Sequence, residues 1–251
     1  MSNEIKIIAG LDIETLSLEQ DAVVFQIGVA ISTFVPPSTY PIPENEHQVF
    51  NPTTKSIGLD IMGQLMEGRS VSKDTMDFHR KVAAKHELDI VNDSTVRDRY
   101  FHQAETQRFH LKEAREALFK LLSNASEVWI NHPEFDLPRL KGALRVTEAQ
   151  PLFDFRKVRD LATIRKSGIS LPKIENSTRD RHDAVLDATW NLQVALAWHY
   201  RVHQINHLES ALSSADRANP KGQSIGITPL PSIRIPMPSY VPASLIIKEH
   251  A

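Results

Sequence analysis

An apolar run from Ile5 to Leu11 ends in two carboxylates, Asp12 and Glu14, set two residues apart. In a strand, residues i and i+2 point to one face, so both acids project together. Like charges side by side are costly unless something positive lies between them. A divalent cation is the usual occupant, and hard cations favour carboxylate oxygens. The rest of the chain must then supply the remaining ligands and a base.

Residues 5–13 are mostly apolar and read as a central strand. After a polar turn at 17–21, residues 22–32 form a second β-rich run, and so short a connection predicts antiparallel pairing. Four prolines crowd residues 36–46, a loop or edge excursion. A short third strand is expected at 47–50. From 57 to 123 the character turns helical, with Ser72 as N-cap of a helix reaching about Glu87. Residues 88–103 read as a loop or helix break, and 111–123 as an amphipathic helix. A fourth strand is expected at 127–131, with a helix starting near Phe135. A fifth strand is expected at 151–154, with Asp154 capping a helix over 155–166. Residues 167–181 read as a polar loop, followed by a strong helix from Asp183 to about Val202.

The fold class expected is α/β, a mixed five-stranded sheet with three antiparallel strands on one side. Residues 1–204 would form the domain and 205–251 an extension. Six of the fifteen prolines fall between Asn219 and Pro242, interleaved with isoleucine and leucine. Such a segment excludes helix and central strand but is too apolar for a disordered tail. It is expected to wrap its own domain or a second subunit, making a homodimer one of the expected assemblies.

Composition removes several classes. The 251 residues contain no cysteine, which excludes disulfides, thiolate zinc sites and cysteine nucleophiles. With 29 basic and 31 acidic residues there is no global attraction to nucleic acid, although a basic rim around an acidic site would suffice. No signal-peptide pattern or membrane-length apolar run occurs, so a cytoplasmic protein is expected.

Three further residues join the acidic pair. Asp136 follows the fourth strand in Asn131-His132-Pro133-Glu134-Phe135-Asp136. His182 and Asp187 stand where the last helix begins, in His182-Asp183-Ala184-Val185-Leu186-Asp187. Each has a plainer reading: the strand acids as surface carboxylates, Asp136 as a helix N-terminal charge, His182 as a cap or surface residue. Asp183, beside His182, is explained by capping.

The order and context of these motifs resemble the DEDD exonuclease superfamily over roughly residues 5–201. Histidine five residues before the last aspartate is similar to the subgroup with a histidine base, which includes ribonuclease T, oligoribonuclease and polymerase proofreading subunits. Asp154-Phe155-Arg156-Lys157-Val158-Arg159 and the His-Asp-Ala form of the last motif look like the branch of phage exonuclease A and the mycobacterial-type exoribonuclease. The resemblance departs in the 121 residues between Glu14 and Asp136 and in the proline-rich tail.

The resemblance implies a ribonuclease H-like fold and 3′→5′ exonuclease activity that releases nucleoside 5′-monophosphates. Two divalent cations, Mg²⁺ or Mn²⁺, about 3.5–4 Å apart would be held by Asp12, Glu14, Asp136 and Asp187, with Asp12 bridging. One ion would activate the attacking water and the other would stabilise the leaving 3′ oxygen. His182 would be the general base, since an ordinary imidazole accepts protons near neutral pH. Thr15, Leu16 and Asn131 are expected at the terminal nucleotide, Leu16 as an apolar wedge beneath its base. Arg156 and Arg159, one turn apart on a helix, would reach phosphate, with ion pairing to Asp160 or Glu175 the blander account. Lys173, Arg179 and Arg181 would make a basic loop or a solvated one. Trp129, Trp190 and Trp198 read as core.

The partner expected is a nucleic acid with a 3′ end, single-stranded or a 3′ overhang. Nothing identifies a 2′-OH contact, and single-stranded DNA or a 3′ overhang is slightly favoured. A catalytically silent binding module of the same fold is the main alternative, disfavoured because all five positions are filled. A ribonuclease H-like endonuclease is disfavoured by the histidine, and a dinucleotide-specific hydrolase is a further enzymatic alternative.

Overall fold

Strand β1 (Lys6–Thr15) lies inside the sheet because both of its faces are covered. Ala9, Leu11 and Ile13 point to one side, where they meet Ala114, Leu118 and Leu122 of a helix. Ile8 points to the other side and packs with Ala188 and Leu192. Gly10, Asp12 and Glu14 share the face of Ile8, by the two-residue period of a strand. One strand therefore carries a core on one face and the acids on the other.

The protein is seen in a computed structural model that describes residues 4–38, 51–85, 108–147, 151–166 and 182–218. After β1 come β2 (Val24–Phe34), β3 (Thr53–Leu59), helices α1 (Ile61–Met66) and α2 (Lys73–Lys85), and the two-residue strand β4 (Arg108–Phe109). Helix α3 (Leu111–Leu122), β5 (Glu127–Ile130) and α4 (Pro133–Ala143) follow. A 3-10 turn (Phe155–Lys157), β6 (Val158–Asp160), α5 (Leu161–Lys166) and α6 (Ala184–Ala218) complete the described chain. The sheet order is β4-β3-β2-β1-β5-β6. β1, β2 and β3 are antiparallel neighbours, whereas β5 and β6 continue parallel to β1.

The α/β class and the antiparallel trio are as expected, and β4 adds a short edge strand. Several boundaries differ. The strand pairing with β2 is Thr53–Leu59, so 57–59 are strand rather than helix; the strand expected at 47–50 and the loop at 88–103 lie outside the described residues. Residues 151–154 are not a strand. Asp154 caps a 3-10 turn through the Arg156 N–H at 3.0 Å, and the strand follows at 158–160. The helix expected over 155–166 is only its last six residues. Ser72 caps α2 as expected, accepting from the Thr75 N–H at 3.1 Å. Helix α6 runs past Val202, and past the boundary expected at 204–205, to Ala218. The proline-rich stretch and the loop holding Lys173, Arg179 and Arg181 lie outside the described residues.

Candidate active site

Helix α6 meets the sheet backbone to backbone. A Cβ on Gly28 would lie 1.9 Å from the Ala184 carbonyl oxygen, and one on Gly10 would lie 2.0 Å from that of Ala188. Only glycine permits this approach. Gly28 is the cross-strand partner of Asp12, and Gln26 that of Glu14, so the first turns of α6 lie over the acidic pair. Asn191 Nδ2 donates to the Leu11 carbonyl at 2.9 Å, and the Ala184 N–H donates to Gln26 Oε1 at 3.3 Å. Asp183 caps the helix, its Oδ1 accepting from the N–H groups of Val185 and Leu186 at 2.9 and 3.2 Å. One ligand atom each from Glu14, His182 and Asp187 then falls within 4.8 Å of the others.

Asp136 comes from a parallel neighbour. β5 runs alongside β1 and ends at Ile130; a left-handed residue, His132 (φ 68°), turns the chain so that α4 starts at Pro133. Pro at the first helical position and acids in the first turn suit a helix start. Asp136 is 5% exposed, and its Oδ2 has no hydrogen-bond partner among the described residues.

The electrostatics follow from crowding. Burial pushes the Asp12 carboxyl well above the usual range, and Asp136, Glu14, Asp187 and Asp183 push it further. Glu14, also buried, is raised by its burial and then by Asp187, Asp183 and Asp136. Asp136 is raised to about 8, by burial first, against the pull of the Arg139 guanidinium, with Glu134 and Asp187 adding to the rise. Burial and mutual repulsion thus favour the protonated forms of Asp12, Glu14 and Asp136. An oxygen-rich set with an unpartnered buried carboxylate oxygen fits a divalent cation.

Supporting residues brace this group. Arg139, 7% exposed, lies with Cζ 3.4 Å over the Phe135 ring. It donates to the Phe135 carbonyl at 2.6 Å and to the Leu18 carbonyl, tying the segment after β1 to the helix of Asp136. Arg69 repeats the device, donating to the Ala22 carbonyl at 3.1 and 2.5 Å. His79 of α2, with Nε2 3.0 Å from the Thr15 carbonyl, fastens α2 to the end of β1. An open cleft of about 630 Å³, lined by Asn131, His132, Glu134, Phe135 and Arg139, lies beside the turn into α4. The buried Asn131 Oδ1 has no partner among the described residues.

The sequence-predicted residues divide. Glu14, His182 and Asp187 converge, with Asp12 and Asp136 coupled to them electrostatically. Thr15 is buried, its Oγ1 donating to the Ser17 carbonyl at 2.9 Å. Leu16, expected beneath a base, is 3% exposed and packs with Val23, Phe25 and Ile61. Arg156 and Arg159 are not on a helix: one is in the 3-10 turn, the other on β6. Arg156 pairs with Asp154 at 3.0 Å, and Arg159 donates to the carbonyls of Arg156 and Val158. Asp160 is spent on the start of α5, through the Ala162 N–H. Trp129 is core, and Trp190 and Trp198 pack on it as partly buried residues. Gln26, His79, Arg139 and Asn191 went unnoticed in the sequence. For Gln26 the available signal was a single polar residue inside an apolar run.

A family model describing a 3′-5′ exoribonuclease Rv2179c-like domain matches residues 9–198. The chain belongs to that family. The match starts within β1 and ends within α6, enclosing Asp12, Glu14, Asp136, His182 and Asp187. The Rv2179c-like family supports exonuclease activity for the chain. A search of curated proteins found no match. Among the described residues, no helix is long and apolar enough to cross a membrane.

Proposed function

We propose that this Rv2179c-like protein removes nucleoside 5′-monophosphates one at a time from the 3′ end of RNA. The observation that carries the reading is the convergence of Glu14, His182 and Asp187 beside carboxyls whose charge is disfavoured by burial and by one another. The family description favours RNA, against the slight preference for DNA drawn from the sequence.

Asp12, Glu14, Asp136 and Asp187 would hold two divalent cations, Mg²⁺ or Mn²⁺, as in a histidine-base DEDD enzyme. Cations held by these residues would supply positive charge to the scissile phosphate and the leaving oxygen. His182 accepts the proton of the attacking water, a role worth about 10²–10⁴ in rate. Asn131, with its unpartnered Oδ1 beside the cleft, contacts the terminal nucleotide. Thr15, whose hydroxyl bonds the Ser17 carbonyl, and Leu16, buried with Val23, Phe25 and Ile61, make no direct contact with substrate in this reading. Arg156 and Arg159, committed to local partners, take no part in this reading.

Matched 5′-labelled RNA and DNA strands, single and with 3′ overhangs, test this with Mn²⁺ or Mg²⁺. Stepwise shortening of RNA from the 3′ end with release of monophosphates is expected. Internal fragments appearing first would mean an endonuclease, and retention without products would mean a silent binding module.

A further inference from the structure

Phe78 lies beside the base without being part of the core. It is 43% exposed, on a helix that also carries the buried His79. Its ring centroid is 4.7 Å from that of His182, with the planes at 78°, an edge-to-face pair. The same ring stands 5.5 Å from His79, at 65°.

Helix α2 is itself fixed to the end of β1. His79 Nε2 is 3.0 Å from the Thr15 carbonyl, and its ring sits edge-on to Phe25 at 5.4 Å. The Ser72 N–H donates to the Leu16 carbonyl at 2.8 Å. Phe78 is therefore carried on an arm anchored one residue beyond Glu14. His182 precedes the first turn of α6, with its backbone in the left-handed region (φ 46°), so helix geometry does not set its ring.

We infer that Phe78 is a positioning residue for His182, its edge-to-face contact holding the imidazole toward Glu14 and Asp187. The inference rests on His182 being the base. It links the acidic strand to the histidine through α2: β1, Thr15, His79, Phe78, His182. Because Phe78 is 43% exposed and belongs to none of the core clusters, removing it should cost rate with little cost to the fold, unlike the loss of a core aromatic.

The test uses the full chain with Mn²⁺ and a labelled oligoribonucleotide. Phe78→Ala, Phe78→Leu and Phe78→Tyr are measured alone, and Phe78→Ala also with His182→Ala. Phe78→Ala and Phe78→Leu should lower kcat roughly threefold to tenfold, the range an edge-to-face contact supplies. KM and the Mn²⁺ dependence of Tm should be unchanged, and Phe78→Tyr should restore the rate. In the His182→Ala background, Phe78→Ala should add nothing. A raised KM at parental kcat would make Phe78 a nucleotide wall and overturn the positioning role. Full additivity with His182→Ala, or rescue by leucine, would overturn it too. If His182→Ala alone digests at the parental rate, the base assignment fails first, and the inference falls with it.

Discussion

At one end of β1, Glu127 is surrounded by donors. Lys6 Nζ is 3.0 Å from its Oε1, while Trp129 Nε1 and His199 Nε2 lie 2.9 and 2.8 Å from Oε2. At the other end, Asp12, Glu14, Asp136 and Asp187 crowd together with Arg139 as the cation acting on Asp136. The same two elements, β1 and α6, contribute to both places, and both groups are largely buried. Burial alone would raise Glu127, but hydrogen bonds and charge from His199 and Lys6 outweigh it and hold the carboxyl at about 2. Asp136 is raised to about 8, by burial first. The first carboxylate is completed by the fold. The second set is left incomplete by the fold, which is what a cation site requires.

The largest expected effect separates the two ends by chemistry. Asp12→Ala and Asp187→Asn should abolish Mg²⁺- or Mn²⁺-dependent digestion while leaving the chain folded. Glu127→Gln should do the reverse. Its kcat should stay near parental at a temperature where it is folded, but it should lose about 2–4 kcal/mol in urea unfolding. The figure sits toward the low side for a broken buried pair because the Lys6 side chain is 34% exposed. A folded Glu127→Gln without activity would mean that the two ends are not independent.

Proton linkage gives the second contrast, with opposite signs. Glu127 titrates at about 2 when folded, against an ordinary 4.5. Its stabilisation is therefore present above 4.5 and is lost as pH falls toward 2. Asp136 titrates at about 8 against an ordinary 3.8, so the folded state favours its protonated form. Stability is held below 3.8 and declines as pH rises toward 8. In EDTA, Tm should fall between pH 5 and 8. Mn²⁺ at about a hundredfold excess over Kd should restore roughly 2.7 kcal/mol on that alkaline side. Asp136→Asn should flatten the same decline in EDTA while removing activity. Identical Tm profiles with Mn²⁺ and with EDTA would sink the picture of an incomplete site.

These contrasts also mark what the sequence made legible. Asp12 and Glu14 could be read because β1 alternates at its end, with Leu11 and Ile13 on one face and the acids on the other. Asp187 could be read because α6 keeps an apolar period through Ala188, Leu192 and Ala195. β6 could not, since Val158–Asp160 is too short to show a period and an Asp154 cap looks alike before a 3-10 turn and an α-helix. β3 was obscured because its outer half, Thr53, Thr54 and Lys55, is exposed and lacks alternation. Arg139 and His79 were hidden for a different reason. Their partners are backbone carbonyls at Leu18 and Thr15, which any residue offers and only the fold brings near.

Close backbone packing at the site end predicts a smaller effect. Gly28→Ala places a Cβ 1.9 Å from the Ala184 carbonyl, and backbone cannot yield as a side-chain tip does. Displacement of the start of α6 should cost about 1–3 kcal/mol and weaken Mn²⁺ binding, because Asp187 moves with it. The Glu127 end of α6, more than two turns on, should keep its contacts, and an acid-side Tm profile matching the parent would show that. If Mn²⁺ affinity survives Gly28→Ala, the packing of α6 on β2 does not set the site.

The smallest expected effect concerns two aspartates four residues apart. Asp183 lies near enough to raise Asp12 and Glu14, yet its Oδ1 already accepts from two backbone N–H groups at the start of α6. Asp187 has its own backbone N–H donating to the Asp183 carbonyl at 2.9 Å, one turn into the helix, where its side chain reaches Glu14 and His182. Asp183→Ala should therefore cost about 1 kcal/mol of cap stability. Digestion should stay within a few-fold of the parent, and Asp183→Asn, which also caps, should recover most of the lost stability. A collapse of Mn²⁺ affinity in Asp183→Asn, with its Tm in EDTA unchanged, would transfer the ligand role from the cap to the site. The line drawn between a carboxylate completed by the fold and one left for a cation would then run on the wrong side of Asp183.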